Sequence, residues 1–209
     1  LAPELQHYIE QHTEPEPELL QELSRETHLK MIQPRMLSGH LQGRFLSLFA
    51  AALQPKRIVE VGTFTGYSAL CFAEGLAEEA QIHTFEVDNE FADFAQSWFD
   101  KSPLGKKIHL HRGSVIDLLP GMDQMYDLAF IDGKKEEYIE YYEVVLAKMR
   151  PGGVILTDNV LWSGKVVEKD QTDQATEAVR KFNTFVNQDV RVRTALLPLR
   201  DGVHMTIKR

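Results

Sequence analysis

The stretch Arg57-Ile58-Val59-Glu60-Val61-Gly62-Thr63-Phe64-Thr65-Gly66-Tyr67-Ser68 constrains the fold more than any other, because a short apolar run ends in a glycine turn and passes directly into a helix-like segment. A strand, tight turn and helix in that order point backbone N–H groups at a ligand beyond the strand end. One βα unit later, Ile82-His83-Thr84-Phe85-Glu86-Val87-Asp88 reads as a second buried strand ending in an acid, where a ribose diol finds hydrogen-bond acceptors. The glycines at 62 and 66 do not have the dinucleotide spacing, and Glu60 stands just before the turn. A carboxylate there repels a docking pyrophosphate but suits a ligand carrying an ammonium and a sulfonium, as S-adenosylmethionine does.

From residue 57 onward short apolar runs alternate with amphipathic segments. Strands are expected near 57–61, 81–87, 107–111, 127–131 and 153–157, and helices near 66–78, 89–100, 114–119 and 135–149. This alternation predicts an α/β, Rossmann-like fold: a mostly parallel sheet with helices on both faces. After a helix near 172–187, the runs 190–197 and 203–208 flank a short turn at 198–202, so they form a hairpin whose last strand is antiparallel. That ending is the layout of class I methyltransferases and differs from a dehydrogenase. Residues 3–53 read as helical, with Pro15 and Pro17 opening one helix and a second running from Ser38 or His40 to Leu53. The expected organisation is a single domain over 1–209 with a helical cap at about 1–55.

Composition narrows the partners. A net charge of −8 argues against a nucleic-acid backbone as the main partner and favours a small substrate. One cysteine, Cys71, excludes an intrachain disulfide and fits a reducing compartment. No apolar run approaches the ~18 residues of a bilayer span, and no secretory leader pattern is expected. The expected location is cytoplasmic, without membrane partners. The apolar face of 41–53 suits a homodimer.

The polar residues gather where strands are predicted to end. One strand runs into Asp132-Gly133-Lys134-Lys135 and another into Thr157-Asp158-Asn159. Asp132, Asp158 and Asn159 would supply two carboxylates and an amide oxygen, an all-oxygen set suited to Mg²⁺, and also to Ca²⁺ or Mn²⁺. Taken singly, each acid also fits a helix cap or a turn. Lys135 follows Asp132 by three residues and can turn back toward the same rim, where a nearby cation favours the neutral amine that accepts a proton.

With these residues in view, the chain resembles the cation-dependent O-methyltransferase family that contains catechol and caffeoyl-CoA O-methyltransferases. The resemblance runs from about Met36 to the C-terminus. It is carried by Val61-Gly62-Thr63-Phe64-Thr65-Gly66-Tyr67-Ser68, by Phe130-Ile131-Asp132-Gly133-Lys134-Lys135 and by Thr157-Asp158-Asn159-Val160-Leu161-Trp162. It implies metal ligation by Asp132, Asp158 and Asn159, and Lys135 as the base. It implies cofactor contacts from Glu60, Gly62, Thr63, Ser68, Glu86 and Asp132, from Ser114 and Val115 at the adenine, and from Met36, Leu37 and Ser38 at the methionine end. Ser163 departs from the asparagine of the plant enzymes, so caffeoyl-CoA does not carry over as substrate. Residues 162–172 read as a lid.

The leading expectation is methyl transfer to a catechol-like vicinal diol. An alternative within the same family is tRNA hydroxyuridine methylation, with Lys134, Lys165, Lys169, Arg180 and Lys181 as a basic surface. A non-catalytic cofactor-binding module and a nicotinamide dehydrogenase are the readings from other classes.

Overall fold

The computed structural model describes residues 3–209. Three helices precede the sheet: α1 (Pro3–Gln11), α2 (Glu18–Lys30) and α3 (His40–Leu53). The helical stretch expected over 3–53 thus divides into three helices, with α1 ahead of the two whose starts the sequence marks. Pro17 caps α2, since proline fits a helix start where its missing N–H is not needed. Then β1 (Arg57–Val61), α4 (Tyr67–Gly75), β2 (Gln81–Glu86), α5 (Asn89–Lys101), β3 (Ile108–Arg112), α6 (Val115–Leu118), β4 (Tyr126–Ile131), α7 (Tyr138–Lys148) and β5 (Met149–Thr157) alternate. The chain closes with α8 (Gln174–Gln188), β6 (Val192–Leu197) and β7 (Val203–Lys208).

The seven strands lie in the order β3-β2-β1-β4-β5-β7-β6, with β1 to β5 parallel and β7 antiparallel to both neighbours. The antiparallel last strand is the one expected, and it inserts between β5 and β6. The central strands are almost continuously apolar because both faces are covered. Ile58, Ile82, Leu128, Phe130 and Leu156 face a core shared with α2 to α5. The alternate residues Val59, Val61, Phe85, Ala129, Ile131 and Ile155 face a core shared with α6 to α8. Cys71 is buried in the first of these, and burial raises its thiol far out of the reactive range.

Two expected boundaries move. The helix expected from 135 is a single 3₁₀ turn, Lys135–Glu137, before α7. β5 starts at Met149 rather than 153, because Met149 pairs with Tyr126 across a register shift that absorbs Pro151-Gly152-Gly153. The strand order reverses between β1 and β4, which opens a crevice at their carboxyl ends, the usual ligand position in such sheets. No helix among the described residues is long and apolar enough to cross a membrane.

Candidate active site

A cavity of about 1440 Å³ occupies that crevice. It is lined by the glycine loop, Glu86, Ser114 and Val115, by Asp132, Lys135, Asn159 and Trp162, and by Met36, Leu37 and Ser38.

The loop owes its shape to backbone crowding. Gly62 has φ 91°, and a Cβ there would lie 2.1 Å from the Asp132 carbonyl oxygen, so only glycine lets the β1 and β4 loops meet. Gly62 and Thr63 N–H groups donate to the Phe85 carbonyl, and Asp132 N–H donates to Val61 O at 2.9 Å. β1, β2 and β4 are thereby locked at the site. Glu86 accepts from Phe64 N–H at 2.8 Å and Asp88 N–H at 2.9 Å, which holds Phe64 at φ 49°. Burial raises the Glu86 carboxyl, and those amides oppose the shift. Ser114 caps α6 by accepting from Ile116 N–H.

Glu60 and Asp158 do not line the cavity; they lie one layer beneath it. Glu60 is fully buried, accepts from the Thr84 hydroxyl at 2.5 Å and leaves Oε1 unpartnered. Burial pushes it up to about 7, a shift that the Thr84 hydroxyl opposes. Thr63 turns its hydroxyl inward to Thr84 at 2.5 Å, while Ser68 lines the cavity floor.

Lys135 is buried and reaches back over its own turn. Its Nζ donates to Asn159 Oδ1 at 2.9 Å, Asp132 Oδ1 at 3.1 Å, Gly133 O at 3.2 Å and Tyr138 OH at 2.5 Å. The Asp132 and Asn159 oxygens thus converge on one positive charge, and the ammonium acts as a stand-in cation between them. Asp158 Oδ2 accepts from Gln42 Nε2 at 2.8 Å and Oδ1 from Asn159 N–H at 2.8 Å. Burial, then repulsion from Asp132, pushes Asp158 up to about 7. Both carboxylates and the amide oxygen are hard donors, so the set fits an oxygen-seeking divalent cation. Among the described residues no three His, Cys, Asp or Glu side chains cluster at metal-binding separation, and this set has only two such residues. Lys134 faces solvent and pairs with Glu137 at 3.2 Å.

Three contributors escaped sequence reading. Tyr138, buried and held neutral by burial and the two aspartates, donates to the Asp158 carbonyl and accepts from Lys135. Gln42, on α3 beside Arg44 and Ser47, and Arg200, in the β6–β7 turn, carry no local motif that points to the site. Over the cavity, Trp162 stands 5.5 Å from the Lys135 ammonium, and its indole N–H has no partner.

Residues 10–209 match the O-methyltransferase family model. The chain belongs to the O-methyltransferase family. It is 35% identical over 162 residues to the catechol O-methyltransferase of Niastella koreensis, covering 76% of this chain and 73% of that one. It is 32% identical over 200 residues to caffeoyl-CoA O-methyltransferase 2 of Zea mays, covering 90% and 75%. An SAH-bound methyltransferase of Podospora anserina superposes over all of this chain and 95% of its own, with a TM-score of 0.93 at 28% identity. The chain is an S-adenosylmethionine-dependent O-methyltransferase.

Proposed function

We propose that this O-methyltransferase methylates one hydroxyl of a catechol-like vicinal diol and that it requires a divalent cation. The observation that carries the reading is the convergence of Asp132 Oδ1 and Asn159 Oδ1 on the Lys135 ammonium, in the same cavity as the glycine loop and Glu86. Asp132, Asp158 and Asn159 would hold the cation, Mg²⁺ by preference for hard oxygens. When bound, a divalent cation supplies the charge that favours an ionised acceptor hydroxyl.

S-adenosylmethionine supplies the activated methyl group, with its ribose at Glu86, its adenine beside Ser114 and Val115, and its methionine end near Met36, Leu37 and Ser38. An acceptor anchored beside Asp132 and Asn159 puts a hydroxyl within reach of Lys135. With a cation in place of the ammonium between Asp132 and Asn159, Lys135 would stand beside it as the neutral amine. That amine takes the proton as the acceptor oxygen bonds the methyl carbon and the sulfonium S–C bond breaks, giving a methyl ether and S-adenosylhomocysteine. Charge disappears as the new bond forms, so alignment and exclusion of water carry much of the acceleration. Trp162, above Lys135, helps to exclude water.

Three of the five basic residues considered for tRNA are engaged within the chain, which supports a small acceptor. Arg180 is consumed by backbone carbonyls, Lys134 pairs with Glu137, and Lys165 stands 3.9 Å from Asp173. Labelled S-adenosylmethionine offered with catechols, simple phenols and tRNA tests the assignment. Turnover is expected with catechols, to be abolished by chelator and restored by Mg²⁺ or Mn²⁺. Full turnover in chelator would sink the cation requirement, and tRNA as the only acceptor would replace the diol.

A further inference from the structure

Two side chains outside the set described above link two parts of it. Gln42 on α3 is 1% exposed, and its amide serves groups of opposite demand. Nε2 donates to Asp158 Oδ2 at 2.8 Å, and Oε1 accepts from Arg200 Nη1 at 3.2 Å. A carboxylate only accepts and a guanidinium only donates, so a single orientation of the amide satisfies both. Gln42 is the one side-chain donor to Asp158 among the described residues. The second terminal nitrogen of Arg200 donates to Leu37 O at 2.7 Å and Arg35 O at 3.3 Å, clasping a strap that lines the cavity. Arg200 does this from the β6–β7 turn at φ 51°, a left-handed conformation that favours glycine. The turn itself gives no reason for an arginine.

We propose that Arg200 and Gln42 are positioning residues that form a relay from the strap at 35–38 to the Asp158 carboxylate. Closing the strap over the methyl donor and aiming Asp158 at a cation become one event, so each ligand tightens the binding of the other, reciprocally. The relay rests on the reading of Asp158 as a cation ligand.

The test uses the full chain and the variants Arg200→Gly, Gln42→Leu and the double variant. Mn²⁺ affinity is read by electron paramagnetic resonance, S-adenosylhomocysteine affinity by calorimetry, and folding by melting temperature. Glycine relieves the positive φ but loses the bonds to Gln42, Leu37 and Arg35, so the melting temperature of Arg200→Gly serves to confirm that the variant is folded at the titration temperature. The folded variant should bind both S-adenosylhomocysteine and Mn²⁺ about 10-fold more weakly, the low end of what partners behind a metal ligand contribute. Gln42→Leu should weaken Mn²⁺ comparably, and the double variant should bind Mn²⁺ no more weakly than Gln42→Leu alone, because the effect of Arg200 passes through Gln42. Unchanged Mn²⁺ affinity in Arg200→Gly, or additive losses in the double variant, overturns the relay and leaves Asp158 a ligand. A wild type that binds no Mn²⁺ overturns the cation reading and the relay together. If Gln42→Leu does not fold, the Arg200→Gly titrations decide the matter.

Discussion

Glu86 and Lys135 show how much one side chain decides when it is held on several sides. Each Glu86 oxygen already accepts one backbone N–H and keeps a lone pair for a ribose hydroxyl. Glu86→Ala should weaken S-adenosylhomocysteine binding by roughly 1.5–3 kcal/mol, the scale of hydrogen bonds to a charged group, as read by calorimetry. It should also lower the melting temperature, because Phe64 loses the bond that holds its positive φ; unchanged affinity would remove Glu86 from the site. Lys135→Met should slow the chemical step about 10²- to 10⁴-fold, the range of general-base catalysis, with little change in cofactor affinity. The deficit should shrink for acidic phenols, which ionise without help. Lys134→Met is the control, since that side chain is 64% exposed. Single-turnover rates on substituted catechols decide the assignment, and equal rates for both variants and wild type would withdraw it.

At the scale of elements, one arginine organises the segment expected to act as a lid, of which Trp162, Ser163 and Lys165 line the cavity. Arg180 on α8 donates to the carbonyls of Lys165, Val166, Glu168 and Gln171 and pairs with Glu177. The segment it gathers includes the turn at Trp162–Val167, where Trp162, Ser163 and Gly164 all have positive φ. Such backbone persists only where surrounding contacts over-determine it. Arg180→Ala should therefore free this segment while leaving the adenosine end intact. The expected result is faster proteolysis within 162–172 and a raised KM for the acceptor, at unchanged S-adenosylhomocysteine affinity. Unaltered proteolysis would show that Arg180 does not hold the segment.

Across the whole molecule, buried titrating groups oppose one another. Glu60, raised by burial from 4.5 to about 7, keeps in the fold a proton that the unfolded chain has already lost. Its contribution to stability therefore falls as pH rises through that window, by roughly 3 kcal/mol at about 1.4 kcal/mol per pH unit. Asp158, raised to about 7, acts in the same direction. His83 and His204, lowered by burial from 6.5 to about 4, act in the other: the unfolded chain takes up their protons first, so stability rises with pH from about 4 to 6.5. The opposing slopes should leave the melting temperature nearly flat between pH 4.5 and 6.5 and falling from 6.5 to 7. Glu60→Gln removes one descending contribution, so its melting temperature should climb with pH across 4.5 to 6.5 relative to wild type. Parallel curves would mean that Glu60 is ionised in the fold.

The local pattern of residues determined the βα alternation, the glycine turn and the antiparallel last strand, because hydrophobic period, glycine and turn residues act over a few neighbours. It also singled out Asp132, Asp158 and Asn159 as candidates, since strand ends in an open α/β sheet are where ligands bind, whereas Lys135 rested mainly on the family motif. The family motifs did the rest for the cofactor loop. The inward Lys135 and outward Lys134 agree with the sequence reading, but only the tertiary structure brought Tyr138 against the Lys135 amine and the Asp158 carbonyl. It alone put Glu60 and Asp158 beneath the cavity wall, and it alone joined Gln42 to Arg200, 158 positions apart. Contacts across that separation depend on the order in which strands assemble, and a linear sequence carries no local trace of that order.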